Sequence, residues 1–100
     1  MRELDRWRQK IDELDLQLIE LLNTRAAYAK EIGKVKLDLG LEAYSPEREE
    51  EVMKNVTSHN SGPLSPQAVR RLFERIIDES RTVERLFMAE QRGRIAKRSR

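Results

Sequence analysis

The 100 residues include no cysteine. A disulfide framework, a thiolate metal site and a cysteine nucleophile are therefore excluded. No apolar run approaches the roughly 20 residues that span a bilayer. The opening MRELDRWRQK is charged throughout and has no signal-peptide hydrophobic region, so a cytoplasmic protein is expected. The single histidine, His59, falls in His59-Asn60-Ser61-Gly62-Pro63, a loop by composition. No Ser-His-Asp set and no His/carboxylate metal cluster can be assembled from such a chain, and neither metal nor cofactor is expected. Strand-like alternation, internal repeats and a glycine-rich phosphate loop are also missing. An enzyme built from this material works with cations and hydrogen-bond donors around an anion, by positioning and electrostatics.

Charged residues make up 38% of the chain and aromatics 5%, a Leu-, Glu-, Arg- and Lys-rich composition that favours helix. The net charge of +2 is uneven: Arg92, Arg94, Lys97, Arg98 and Arg100 are basic with no acidic residue among them, and removing these five charges leaves −3. The expectation is one helical domain over residues 1–92 and a basic, disordered tail over 93–100. Such a tail suits a solvated chain end better than a nucleic-acid contact.

Three helices are expected: one long, one short and one of medium length. The first spans about Leu4 to Leu39. Its seam, Leu4, Trp7, Ile11, Leu14, Leu18, Leu21, Arg25, Tyr28, Ile32, Val35 and Leu39, alternates steps of three and four after the first, a heptad pattern. Gly33 interrupts it at a cost of roughly 1 kcal/mol, and Gly40 suits the C′ position. Ser45 and Pro46 begin the second helix as N-cap and first helical residue, which ends near Ser58. Ser65 and Pro66 repeat the signal for the third, whose seam is Val69, Phe73, Ile76, Ser80, Val83 and Phe87; Gly93 should close it.

A helix of about 35 residues is roughly 52 Å long, whereas a compact 100-residue globule has a radius of gyration of about 13 Å. Helix one outruns a single-chain globule, and two shorter helices cannot cover its seam. An intertwined homodimer is the simplest solution.

Several polar residues interrupt the apolar faces. Arg25 stands on the seam between Leu18 and Ile32. Its stem could pack while its head reaches solvent, but a buried head needs an anionic partner. Lys36 points within about 20° of Arg25 and lies about 16 Å along the axis, so both can reach one small anion. Arg8 is about 25 Å from Arg25 and rotated by roughly 100°. It cannot share that site within one chain, but it can serve the site of a partner chain. On helix three, Ser80 sits on the seam with Glu84 one turn later. The plainer alternatives are a Ser80 hydroxyl bonded to its own helix and a solvated Glu84 paired with Arg81. Arg48 and Glu49 read most simply as an exposed helix start.

The run LDRWRQKIDELDLQLIELLNTRAAYAKEIGKVK (4–36) resembles the all-helical chorismate mutases of the AroQ type. Arg8, Asp15, Arg25, Gly33 and Lys36 fall at that family's spacings. SPEREEEV resembles its second-helix start, with Arg48 and Glu49 in register, and RLFERIIDESRTVE its third helix, with Ser80 and Glu84 in register. The resemblance covers residues 4 to 90. It implies the unimolecular rearrangement of chorismate to prephenate, in the biosynthesis of phenylalanine and tyrosine, in an interlocked homodimer with two sites. It implies that Arg25 and Arg8 of the partner subunit grip the two carboxylates and that Lys36 contacts a carboxylate and the ether oxygen. Glu49 then receives the ring hydroxyl, Arg48 adds positive potential, Ser80 donates to a carboxylate and Glu84 faces the ether oxygen.

Two positions depart from the family pattern. Many members carry glutamine where this chain has Glu84, and a glutamate donates only when protonated; activity is then expected to fall as pH rises. Ser45 stands where some members have aspartate, and a contact made through backbone would survive the change. Two other functions remain open on the sequence: an isochorismate-pyruvate lyase on the same scaffold, and a non-enzymatic coiled-coil or nucleic-acid-binding module.

Overall fold

A computed structural model describes residues 1–98, which form three helices: α1 (Arg2–Leu39), α2 (Pro46–His59) and α3 (Pro66–Arg98). The turn signals act where their chemistry requires. Gly40 adopts the left-handed conformation (φ 70°, ψ 26°). Its N–H reaches the Leu37 carbonyl at 3.2 Å, and the Leu41 N–H reaches the Lys36 carbonyl at 2.8 Å, which satisfies carbonyls left over at the end of α1. Ser65 caps α3 by accepting from the Ala68 N–H at 3.1 Å. Ser45 holds the N-cap position of α2 with extended backbone and no side-chain cap; its carbonyl accepts from Glu49 N–H at 3.0 Å.

Two boundaries differ from expectation. His59 closes α2 rather than lying in a loop, with its Nδ1 2.8 Å from the Asn55 carbonyl. Gly93 does not end α3, which continues to Arg98. Glu90 and Arg94 pair across Gly93 at 2.9 Å, and an i,i+4 pair of this kind supports the helix it spans. The expected basic tail is thus helical over 93–98, and Ser99 and Arg100 lie outside the described residues.

Helices α1 and α3 run side by side in the same direction: Arg25 meets Ser80, and further along Gly33 lies against Glu84 and Phe87. The face of α1 that α3 covers is offset from the heptad seam. It buries Ala29 and Gly33 and partly buries Arg25, Ala26, Lys36 and Leu37, so small residues set the closeness of the pair. A Cβ on Gly33 would stand 3.3 Å from the Glu84 Cα and 3.4 Å from its carbonyl oxygen. Glycine is therefore present for helix packing, despite its low helical propensity. Gly33→Val is expected to cost about 1–3 kcal/mol by overpacking. Gly93, with nothing near an added Cβ, should accept alanine with a gain of up to about 1 kcal/mol in local helix stability. Thermal melts followed by circular dichroism check the first, and amide exchange over residues 90–98 the second.

Helix α2 packs on α3 and not on α1. The apolar residues of the α1 seam remain open in the isolated chain: Trp7 is 55% exposed, Ile11 56%, Leu14 56% and Leu18 54%. The radius of gyration is 18.0 Å and the extents are 65 × 28 × 15 Å. The chain exposes 8602 Å², against about 5,900 Å² for a compact monomer of its mass. The excess of about 2,700 Å² per chain, about 5,400 Å² over two copies, lies at the upper end of what obligate dimers bury.

Candidate active site

Where α1, α3 and the start of α2 converge, they enclose a cavity of about 440 Å³, a size usual for small-molecule sites. Its charged lining consists of Arg25, Lys36, Arg48 and Arg81 with Glu49 and Glu84. Four cations against two carboxylates make a site suited to a small dianion.

Each side chain is placed by its helix. Arg25 donates through Nη1 to Ser80 Oγ. The Ser80 hydroxyl donates back to the Ile76 carbonyl at 3.0 Å. The back-bonding alternative is thus present, and the same hydroxyl orients Arg25. Lys36 lies one turn beyond Gly33, which packs against the Glu84 backbone. Its Nζ is 2.7 Å from Glu84 Oε1 and donates to the Ala43 carbonyl at 2.7 Å, tying the α1–α2 loop to the cavity. Glu84 is 8% exposed, so it is not the solvated surface charge of the plainer alternative, nor does it pair with Arg81. Its Oε1 has no aligned hydrogen bond among the described residues; the Lys36 ammonium holds it by charge.

Arg81, on the same wall, is held by three neighbours. Its Nε is 3.3 Å from Glu49 Oε2, its Nη2 is 2.5 Å from Asp78 Oδ1, and its guanidinium lies 5.0 Å from the Tyr44 ring centroid. Arg48 is exposed and pairs loosely with Glu51 at 3.4 Å.

Seven of the residues singled out in sequence, Arg25, Lys36, Ser45, Arg48, Glu49, Ser80 and Glu84, line this one cavity. Arg8 does not; it lies exposed on the uncovered half of α1. Sequence reading passed over Arg81 and Tyr28 on the wall. Arg81 was within reach of it, because Ile77, Ser80, Arg81 and Glu84 follow the i, i+3, i+4, i+7 spacing of one helix face. A second groove of about 350 Å³ opens on the other side of Arg25 and Ser80, walled by Leu22, Ala26, Ile76 and Val83.

Fold and cavity together define an all-helical protein with a predominantly cationic pocket of a size for a small molecule. The chain belongs to the chorismate mutase type II family, whose model matches residues 7–85. It is 42% identical over 79 residues to a bifunctional chorismate mutase/prephenate dehydratase of Neisseria gonorrhoeae, a match covering 78% of this chain and 21% of that one. The chain thus spans about a fifth of the length of that relative. A chorismate mutase of Methanocaldococcus jannaschii is 25% identical over 91 residues, covering 87% of this chain and 89% of the relative. Among solved structures, a chorismate mutase of Thermus thermophilus superimposes with a TM-score of 0.80 at 33% identity, covering 82% of this chain and 93% of the other. No described helix is long and apolar enough to cross a membrane.

Proposed function

We propose that the chain catalyses the rearrangement of chorismate to prephenate, as a homodimer whose sites each take Arg8 of the partner subunit. The observation that carries this reading is the Lys36–Glu84 pair, 2.7 Å apart on the wall of a pocket that three arginines also line. Chorismate is a dianion, and arginine's planar fork matches a carboxylate bidentately. Arg25, oriented by Ser80, holds one carboxylate. Arg8, on the uncovered half of α1, grips the other when two chains cross.

The reaction is unimolecular: the ether C–O bond breaks as a C–C bond forms, and no group leaves. Negative charge grows on the ether oxygen in the transition state. Lys36 on one side and Glu84 on the other stabilise that charge more than they stabilise the substrate, which is the condition for raising kcat. The ring hydroxyl is left for Glu49, and the carboxylates fix the folded conformer in which the reacting carbons approach.

Incubation with chorismate and, separately, isochorismate tests the reading. Conversion of chorismate to prephenate supports it. Salicylate formation from isochorismate alone would replace it with the lyase, and salt-dependent DNA binding with no turnover of either would replace it with a binding module.

Glu84 can donate to the ether oxygen only as the neutral acid. With Glu84 in that donor role, kcat/KM is expected to decline as pH rises. Glu84→Gln, which donates at any pH, should flatten the profile. A pH–rate profile of the same shape in both proteins would remove Glu84 from the donor role.

A further inference from the structure

Arg81 is the one cation of the cavity wall that the roles above leave unused. It is also the group through which α3 reaches both neighbouring segments. Its guanidinium meets Glu49 of α2 at 3.3 Å, stands over the ring of Tyr44 in the α1–α2 loop at 5.0 Å and is anchored on its own helix by Asp78 at 2.5 Å. Helix α2 has no packing contact with α1, so this bridge is part of what fixes its first turn beside the cavity.

Glu49 poses an electrostatic problem. A carboxylate in a pocket that takes a dianion faces like charge at short range, and partial burial weakens the screening. The Glu49 side chain is 27% exposed and that of Arg81 34%. Arg81 offsets the Glu49 charge through Oε2 and leaves Oε1 free to accept a hydrogen bond from the ligand.

We propose that Arg81 is a positioning residue for substrate recognition: by pairing with Glu49 and covering Tyr44, it holds the Glu49 carboxylate neutralised and aimed at the substrate's ring hydroxyl. This rests on the chorismate reading of the site. The ring hydroxyl carries the same charge in substrate and transition state. Binding through it is therefore uniform, and its loss raises KM while sparing kcat.

Steady-state kinetics on four full-length proteins test the proposal: wild type, Arg81→Met, Glu49→Gln and the double variant, with helicity checked for each. Arg81→Met is expected to raise KM about tenfold and to leave kcat within about threefold, the pattern of lost uniform binding. In the Glu49→Gln background, where no carboxylate remains to neutralise, the same substitution should change KM by less than about twofold, since coupled residues are non-additive. Arg81→Lys should recover part of the lost affinity, because it restores the charge without the fork. If Arg81→Met loses its helical fold, Arg81→Gln carries the same comparison. A tenfold rise in KM in both backgrounds, or an unchanged KM in the first, overturns the positioning role. Wild-type protein inactive on chorismate would overturn the functional reading as well, so the two failures are told apart by the reference protein.

Discussion

Lys36→Ala is expected to lower kcat by about a hundredfold to a thousandfold, the usual loss when one preorganised donor to a developing oxyanion is removed. No other substitution within one chain should act as strongly on the chemical step. In the proposed role Lys36 is the cation that meets the ether oxygen. Its side chain is 17% exposed, it stands 2.7 Å from Glu84, and its bond to the Ala43 carbonyl fixes the ammonium before any ligand arrives. Such a donor needs no reorganisation during the reaction. KM should rise as well if Lys36 also meets a substrate carboxylate, as its proposed role implies.

The same substitution carries a structural cost that must be separated from the catalytic one. It leaves the Glu84 carboxylate, 11% exposed in its side chain, without its ionic partner, at about 1–3 kcal/mol for a buried charged group left unsatisfied. Lys36→Ala/Glu84→Gln removes that charge. The double variant should therefore recover most of the lost thermal stability while remaining catalytically impaired. Recovery of both together would mean that Lys36 matters through the fold and not through the ether oxygen.

The residues that made this site legible in sequence are those whose helical spacing conflicts with their chemistry. Arg25 on an apolar seam, Lys36 near the same azimuth, and Ser80 with Glu84 one turn on each required a partner, and in the structure they line one cavity. Caps and turns were legible for a local reason: Gly40 and Ser65 act through bonds to residues two to four positions away. Packing partners were not legible. The heptad seam predicted which face of α1 is apolar, but α3 settles beside it, on Ala29 and Gly33, because small residues allow the closer approach. Gly33, read from sequence as a tolerated defect, lies where the Glu84 backbone leaves little room for a Cβ.

Gly93 failed as a stop signal for a related reason. A glycine ends a helix when the chain gains bonds by turning left-handed there, as at Gly40. At Gly93 the Glu90–Arg94 pair and flanking helix formers keep the helix going. Arg81 shows a different limit. Its spacing placed it on the face of Ile77, Ser80 and Glu84, yet its partner Glu49 belongs to a helix whose position against α3 is not encoded in either segment alone.

Mixing two inactive proteins should restore activity, and this is the second of the large effects. Arg25→Ala and Arg8→Ala are each expected to lower kcat/KM by at least about a hundredfold, since each removes two charged hydrogen bonds to a carboxylate. Arg8 lies on the exposed half of α1 and does not line the cavity of its own chain. If each site combines Arg25 of one subunit with Arg8 of the other, a heterodimer of the two variants has one site lacking both arginines and one with both. Random assortment makes about half of the dimers mixed, each with one of two sites intact, so co-refolded protein should reach about a quarter of wild-type activity. Co-refolding is needed because interlocked helices exchange slowly once formed. Sedimentation must show a dimer in each sample. The distinction is sharp: if both arginines act within one chain, no mixture of the two variants contains a complete site, and activity stays at the level of the separate proteins. The same holds if the chain is a monomer. Recovery requires that the long first helix, with Trp7, Ile11, Leu14 and Leu18 uncovered in the single chain, carries Arg8 across to a second copy.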